Sequence, residues 1–228
     1  MEEWSRTVLV DENLQKDFTA SGFVLRKGAS YSEFVNSVLA LGKIRMHRDS
    51  NPSGVTEVKV ETKLTTTESV LGLTNAGLRM HTDSSGVSVP PKGIGLYCEQ
   101  PASSGGDSTF CNVEKLVGFL QMHDEELVDL LQDEGAAIFK GAGGVFSGPI
   151  LTRGEGGVWN IRLRLDQGAF FNYGLISKLD VLQEAIAQNS FSVSMKEGDF
   201  YLLDNLRWLH GRTTFAGENR KMLRLLFD

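Results

Sequence analysis

The second half of the chain is a succession of short apolar runs: VWNIRLRLD (158–166), FSVSM (191–195), DFYLLD (199–204), RWLHGRTTF (207–215) and KMLRLLF (221–227). Each is rich in aromatic, β-branched or long aliphatic side chains, the composition of strands. Helical periodicity is confined to a few places. Residues 31–42 repeat apolar positions at Phe34, Val35, Val38, Leu39 and Leu41 before Gly42, and LDVLQEAIAQNS (179–190) is a second short helix. The strongest helical stretch is 112–132, with Asn112 as N-cap and Leu116, Phe119, Leu120, Leu127, Leu130 and Leu131 on one side. Many short strands beside few helices predict a mainly β protein with flanking helices, a sandwich or jelly roll with helices packed on one face.

At 228 residues the chain is long enough for one sizeable core, and residues 1–228 are expected to form a single domain. Lys and Arg number 23 against 29 Asp and Glu, a formal charge of −6 that repels phosphate backbones, so nucleic acid is not an expected partner. The start, MEEWSRTVLVDENLQ, puts charges where a signal peptide needs an apolar core. No later run approaches the roughly 18 apolar residues of a membrane span. A soluble cytoplasmic protein without a membrane partner is therefore expected, and nothing in the pattern specifies an oligomer. Cys98 and Cys111 are too few for a disulfide scaffold and read as buried thiols.

The first half is less regular. Trp4 to Phe18 reads as a short strand followed by a polar helical turn, and GFVLRKG (22–28) as a strand bounded by glycines. From Arg45 to Asn75 the composition turns to Thr, Ser, Glu and Lys, with alternation only in VTEVKVETKL (55–64). This is expected to be a mobile connection carrying one short strand. His123 lies among polar neighbours on its helix and reads as a surface residue.

Chemistry concentrates in three places. In Leu78-Arg79-Met80-His81-Thr82-Asp83, residues i and i+2 of an extended chain project to one side, so His81 and Asp83 can offer an imidazole and a carboxylate to one metal. A pair of this kind also arises by chance. In EGDFYLLDNLRWLHGR a tight turn launches a strand that reaches His210, a third ligand that would complete two histidines and one carboxylate on one face of a metal with open positions beyond. In Arg220-Lys221-Met222-Leu223-Arg224 the two arginines are four apart and share a strand face, while Leu223, Leu225 and Phe227 point the other way. Inward arginines require a buried anion, and a guanidinium fork suits a dicarboxylate.

Taken in order, these segments resemble the taurine dioxygenase and clavaminate synthase-like superfamily of 2-oxoglutarate-dependent oxygenases. The resemblance runs through GFVLRKG, MHTDSS, PPKGIGLYCEQPASSGGDSTFCN, EGDFYLLDNLRWLHGRTTF and the closing Arg-x-x-x-Arg. It implies a double-stranded β-helix, a cupin-like jelly-roll barrel, with Fe(II) held by His81, Asp83 and His210. It also implies 2-oxoglutarate and O2 as cosubstrates, the far carboxylate of 2-oxoglutarate being held by Arg220 or Arg224 and by a hydroxyl. Two departures leave roles open. After Gly105-Gly106-Asp107 the family places threonine, whereas Ser108 matches here by position and Thr109 by residue type; the connection from His210 to Arg220 is also short. Arg220 is assigned to the cosubstrate and Arg224 to its other end or to the substrate.

The implied reaction couples decarboxylation of 2-oxoglutarate to oxidation of a small molecule, hydroxylation by default, with desaturation, ring formation and rearrangement as variants. Asn75, Arg79, Trp159, Asn160 and Arg162 are the candidate substrate contacts, since they lie near the first ligand pair or on a strand expected to face the barrel mouth, although Arg162 and Arg164 also suit a solvated face. Two other classes use the same triad: a zinc hydrolase with an activated water, and a non-catalytic jelly-roll binding protein holding a structural metal. Neither accounts for the paired arginines.

Overall fold

A computed structural model describes residues 12–60, 71–141, 143–217 and 219–228. The strand expected just after Trp4 and the end of VTEVKVETKL lie outside these residues. Among the described residues no helix is long and apolar enough to cross a membrane.

Two sheets organise the chain. The larger takes the strands in the order Phe23–Arg26, Phe200–Asp204, Gly93–Gln100, Lys221–Phe227 and Ile44–Arg45, with Thr56–Lys59 also paired to 221–227. The smaller has the order Ser190–Val193, Ser108–Asn112, Trp208–Arg212, Leu78–His81. All pairings in both sheets are antiparallel.

The period-two alternation decides what lies between the sheets. On the strand 221–227, Leu223, Leu225 and Phe227 face outward onto a core with Phe34, Val35 and Val38 of the helix Tyr31–Leu41. Met222 and Leu226 face the opposite way, into a core shared with Ile94, Cys98 and Tyr201 of their own sheet and with Phe110 and Trp208 of the smaller one. The Phe110 and Tyr201 rings meet edge to face at 4.8 Å between centroids. The outer face of the smaller sheet, through Cys111 and Leu209, packs on the helices Val113–His123 and Leu179–Gln188. Helices therefore cover the outer faces of both sheets, not one face alone.

Gly93 and Gly95 permit this packing. A Cβ on Gly95 would meet Phe34 at 2.8 Å, and one on Gly93 would overlap the Phe227 ring. The helix 31–41 begins with a capping box, Ser30 accepting from the Glu33 N–H while the Glu33 carboxylate accepts from the Ser30 N–H.

Several expectations change. The stretch 112–132 is two helices, Val113–His123 and Glu125–Gln132, broken at Asp124, whose extended φ of −158° ends one while its carboxylate caps the Leu127 N–H of the next. Asp124 also pairs with Lys178 at 2.7 Å, a contact that holds the break and that linear periodicity does not register. Of VWNIRLRLD only Trp159–Ile161 is strand, paired with Leu151–Arg153. A three-stranded sheet of Ala169–Phe171, Ala137–Gly141 and Gly144–Gly148 is additional to the expected strands, because its segments are short and two of them carry glycines. Cys98 and Cys111 are buried free thiols, and His123 is exposed, stacked on Phe119 with ring centroids 4.1 Å apart.

Candidate metal and cosubstrate site

His81 is the last residue of its strand, and it sits directly opposite His210 in the antiparallel register of the smaller sheet. The two rings lie 4.3 Å apart between centroids. Asp83 follows after Thr82, whose side chain points the other way: its hydroxyl donates to the Ile161 carbonyl at 3.0 Å and accepts from the Leu163 N–H at 3.2 Å. With Thr82 anchored, His81 and Asp83 both turn inward. One ligand atom from each of His81, Asp83 and His210 falls within 4.8 Å of the others, the one such cluster among the described residues.

The protonation states suit a cation. His81 Nδ1 lies 2.9 Å from the Arg79 carbonyl, which places the proton on Nδ1 and leaves the Nε2 lone pair free on the side facing Asp83 Oδ1, 3.8 Å away. Burial, with His81 and Arg224 adding to it, pushes the His210 imidazole down to about 3, so it is neutral at physiological pH. Its Nδ1 is buried with no hydrogen-bond partner among the described residues, an orphan that a bound ligand would relieve. For Asp83 burial opposes ionisation, but Arg224, the His81 hydrogen bond and His210 together hold the carboxyl far below its usual range. Two imidazoles and one carboxylate fit Fe(II) as a facial donor set.

The triad lies in a cavity of about 1600 Å³. Arg220 and Arg224 both line it, although Arg220 precedes the strand that begins at Lys221. Their situations differ. Arg224 Nη1 donates to Asp83 Oδ2 at 2.8 Å. Arg220 is 4 % exposed, and its guanidinium has no hydrogen bond or ion pair with any described residue; Phe215 lies beneath it, 5.4 Å from the ring centroid. Burial lowers its pKa below the usual arginine value, the signature of a cation held away from water without a fixed anion. Ser108 also lines the cavity, whereas Thr109, one residue on, faces the opposite side of its strand and touches Met80 Sδ at 3.7 Å. The preceding Gly105 and Gly106 take φ of 69° and 74°, a turn that glycine enters without strain.

Of the expected substrate contacts only Arg79 lines the cavity, donating to the Leu165 carbonyl at 3.2 Å. Asn75 is exposed and outside it, its carbonyl accepting from the Phe215 N–H. Trp159 is buried in the helix-covered core with Arg153 stacked on its ring at 3.4 Å. Asn160 lies in the 151–161 hairpin, paired with Thr152. Arg162 donates to the carbonyls of Ser85, Val87 and Ser88 and stacks on Phe146, so it holds the loop after Asp83 instead of facing the cavity. The strand 159–161 pairs with 151–153 against the helix-covered core and not with the sheet that carries His81 and His210.

Several residues that line the cavity lie outside the set read from sequence. Arg212 is buried and donates to the carbonyls of Gly72, Thr74 and Ala76; the period-two rule applied from His210 reaches it. Arg164 forms a two-pronged pair with Asp166 on the wall, and His47, whose Nδ1 accepts from the Asp49 N–H, stands near Arg224. His47 sits in an irregular connection and carries no sequence signal.

Compared with known proteins, residues 4–143 and 173–226 match the family described as "Taurine catabolism dioxygenase TauD, TfdA family". The chain belongs to the TauD/TfdA family. It is an Fe(II)- and 2-oxoglutarate-dependent dioxygenase by that membership, and the clustering of His81, Asp83 and His210 is compatible with it. No curated protein matches it. Among solved structures, an asparagine oxygenase bound to Fe(II), 3-hydroxyasparagine and succinate superposes with a TM-score of 0.73 at 15 % identity, over 94 % of this chain and 76 % of that one. PvcB from Pseudomonas aeruginosa gives 0.69 at 18 %, over 94 % and 78 %. The non-haem iron oxygenase OrfP with Fe and α-ketoglutaric acid gives 0.71 at 15 %, over 95 % and 78 %. At these identities the likeness between those proteins and this TauD/TfdA family member is one of fold.

Proposed function

We propose that the chain, acting as one domain over residues 1–228, hydroxylates an amino acid-like small molecule, with Fe(II) held by His81, Asp83 and His210. The observation that carries this is the ligand cluster opening onto a cavity that also contains Arg220, a buried cation without a partner among the described residues. In this reading the two facing sheets are the halves of a double-stranded β-helix. Two buried free thiols suit a reducing compartment such as the cytoplasm.

When bound, the iron and 2-oxoglutarate supply the oxidant: one oxygen atom of O2 enters succinate as CO2 leaves, and the other enters a C–H bond of the substrate. The protein's residues do the positioning. Arg220 and Ser108 take the far carboxylate of 2-oxoglutarate, replacing water with a fork and a hydroxyl. Arg224 holds Asp83 Oδ2 and thereby directs Oδ1 towards the imidazoles. Arg79, at the mouth, is left to meet the substrate. The solved relatives in complex with hydroxyasparagine and hydroxyarginine support an amino acid as the first class to test.

The test is succinate formation and oxygen uptake by the Fe(II)-loaded protein with 2-oxoglutarate, screened against amino acids, amino sulfonates and small metabolites, with product mass measured. Substrate-triggered succinate together with a product heavier by one oxygen atom is expected. Turnover that ignores 2-oxoglutarate, or that survives His210→Ala, would overturn the reading and return the zinc-hydrolase alternative.

A further inference from the structure

We infer that Asn205 is a positioning residue for the metal carboxylate, an inference that rests on the ligand reading above. The strand carrying His81 ends at that residue, so the backbone of Asp83 has left the ladder. The next residue, Ser84, has a φ of 56°, the one non-glycine residue with positive φ among the described residues. The chain turns sharply here, in a conformation that L-residues adopt only when their surroundings impose it. No sheet neighbour fixes the Asp83 peptide groups.

The Asn205 side chain does so instead. Its Oδ1 accepts from the Asp83 N–H at 2.8 Å, and its Nδ2 donates to the Asp83 carbonyl at 3.1 Å and to the Pro91 carbonyl at 3.0 Å. Asn205 is completely buried, so water does not compete for these bonds. A primary amide presents an acceptor and two donors in one plane, and it closes on one residue's N–H and C=O as a neighbouring strand would. Aspartate lacks the donors and serine lacks the span.

Asn205 is itself fixed. Its N–H donates to the Lys92 carbonyl at 2.9 Å, and the turn around it is closed by Asp204 Oδ1, which accepts from the Leu206 and Arg207 N–H groups at 3.0 and 3.2 Å. This turn joins the strand 200–204 of the larger sheet to the strand 208–212 that carries His210. One turn thus fixes the backbone of Asp83 and leads directly into the strand that carries the third ligand. Partners of metal ligands act in this way, and losing one weakens metal affinity about 10- to 100-fold.

The experiment measures Co(II) and Fe(II) affinity anaerobically by chelator competition, with the Co(II) visible spectrum and the unfolding midpoint of the metal-free chain. The proteins are wild type, Asn205→Asp, Asn205→Ser, His210→Ala and, as a control, Asn112→Ala, which loses a helix cap whose side chain accepts from the Lys115 N–H away from the cavity. Both Asn205 variants are expected to bind metal about 10- to 100-fold more weakly with altered Co(II) bands, while Asn112→Ala keeps wild-type affinity and spectrum. Wild-type affinity and spectrum in the Asn205 variants would overturn the inference. So would variants that fold only with metal present and then show the wild-type spectrum, because Asn205 would then serve the fold alone. A wild-type chain that bound Co(II) no better than His210→Ala would refute the ligand reading itself.

Discussion

Arg224 Nη1 stands 2.8 Å from Asp83 Oδ2, joining the last strand of the chain to a carboxylate 141 residues earlier. The pair is nearly dry, with side-chain exposures of 19 % and 13 %. This contact distinguishes the surroundings of the two arginines in the Arg-x-x-x-Arg segment. Arg224 is committed to a protein carboxylate, and Arg220 remains available to a ligand.

Separate titrations of metal and 2-oxoglutarate should therefore part the two arginines. Arg220→Ala is expected to weaken 2-oxoglutarate binding about a hundredfold or more, since a desolvated charge loses its partner. Its metal affinity should stay near wild type. Arg224→Ala is expected to weaken metal binding by about tenfold or more. Lysine at 220 should rescue only in part, because an ammonium cannot reproduce the planar fork. Loss of 2-oxoglutarate binding in Arg224→Ala alone would exchange the two roles.

Strand parity favours Ser108, which lines the cavity, over Thr109 as the hydroxyl for the cosubstrate. Ser108→Ala should raise the apparent constant for 2-oxoglutarate about tenfold, the worth of one hydrogen bond to a charged group. Thr109→Ala, on the far face, should leave it within about twofold, and steady-state kinetics at varied 2-oxoglutarate measures both. Equal effects would contradict the assignment.

Asp199 gives a prediction about acid stability. Burial opposes its ionisation, but Lys27 Nζ at 2.8 Å and the N–H groups of Lys196 and Gly28 at 2.9 and 3.1 Å hold its pKa below the usual value. A carboxylate whose pKa is depressed in the fold contributes stability above its unfolded pKa, and that stability is lost as pH falls through the folded one. Asp199→Ala should cost about 3 kcal/mol at neutral pH. The gap from wild type should narrow below about pH 4, as urea unfolding across a pH series will show; a gap that widens in acid would refute the sign.

Gly93→Ala should destabilise the chain by about 2 to 3 kcal/mol, since the added methyl overlaps the Phe227 ring in the core beneath the helix 31–41. Thermal unfolding of the metal-free chain reads this directly. Metal affinity measured well below the transition should not change, because Gly93 does not line the cavity.

The sequence by itself determined the strand-rich class and the helix that begins at Tyr31, and it singled out His81, Asp83, His210, Arg220 and Arg224, all of which line the cavity. The elements follow from side-chain type and period, which act over a few residues, and the site set follows from the order of the segments that resemble the family. Tertiary structure alone decided what each inward group meets. Arg224 and Arg220 have the same chemistry and line the same cavity, yet only the approach of the Asp83 turn gives one of them a carboxylate partner. Trp159, Asn160 and Arg162 miss the cavity because their strand pairs with 151–153 in a separate hairpin, a partnering that the local pattern does not register. Asn205 carries no local signal, because its partners Asp83 and Pro91 lie in a remote segment; His47 bonds locally to Asp49, and only the packing of the last strand brings Arg224 near it. Periodicity assigns a residue to a face; the distance to a partner far along the chain is fixed only when the sheets pack.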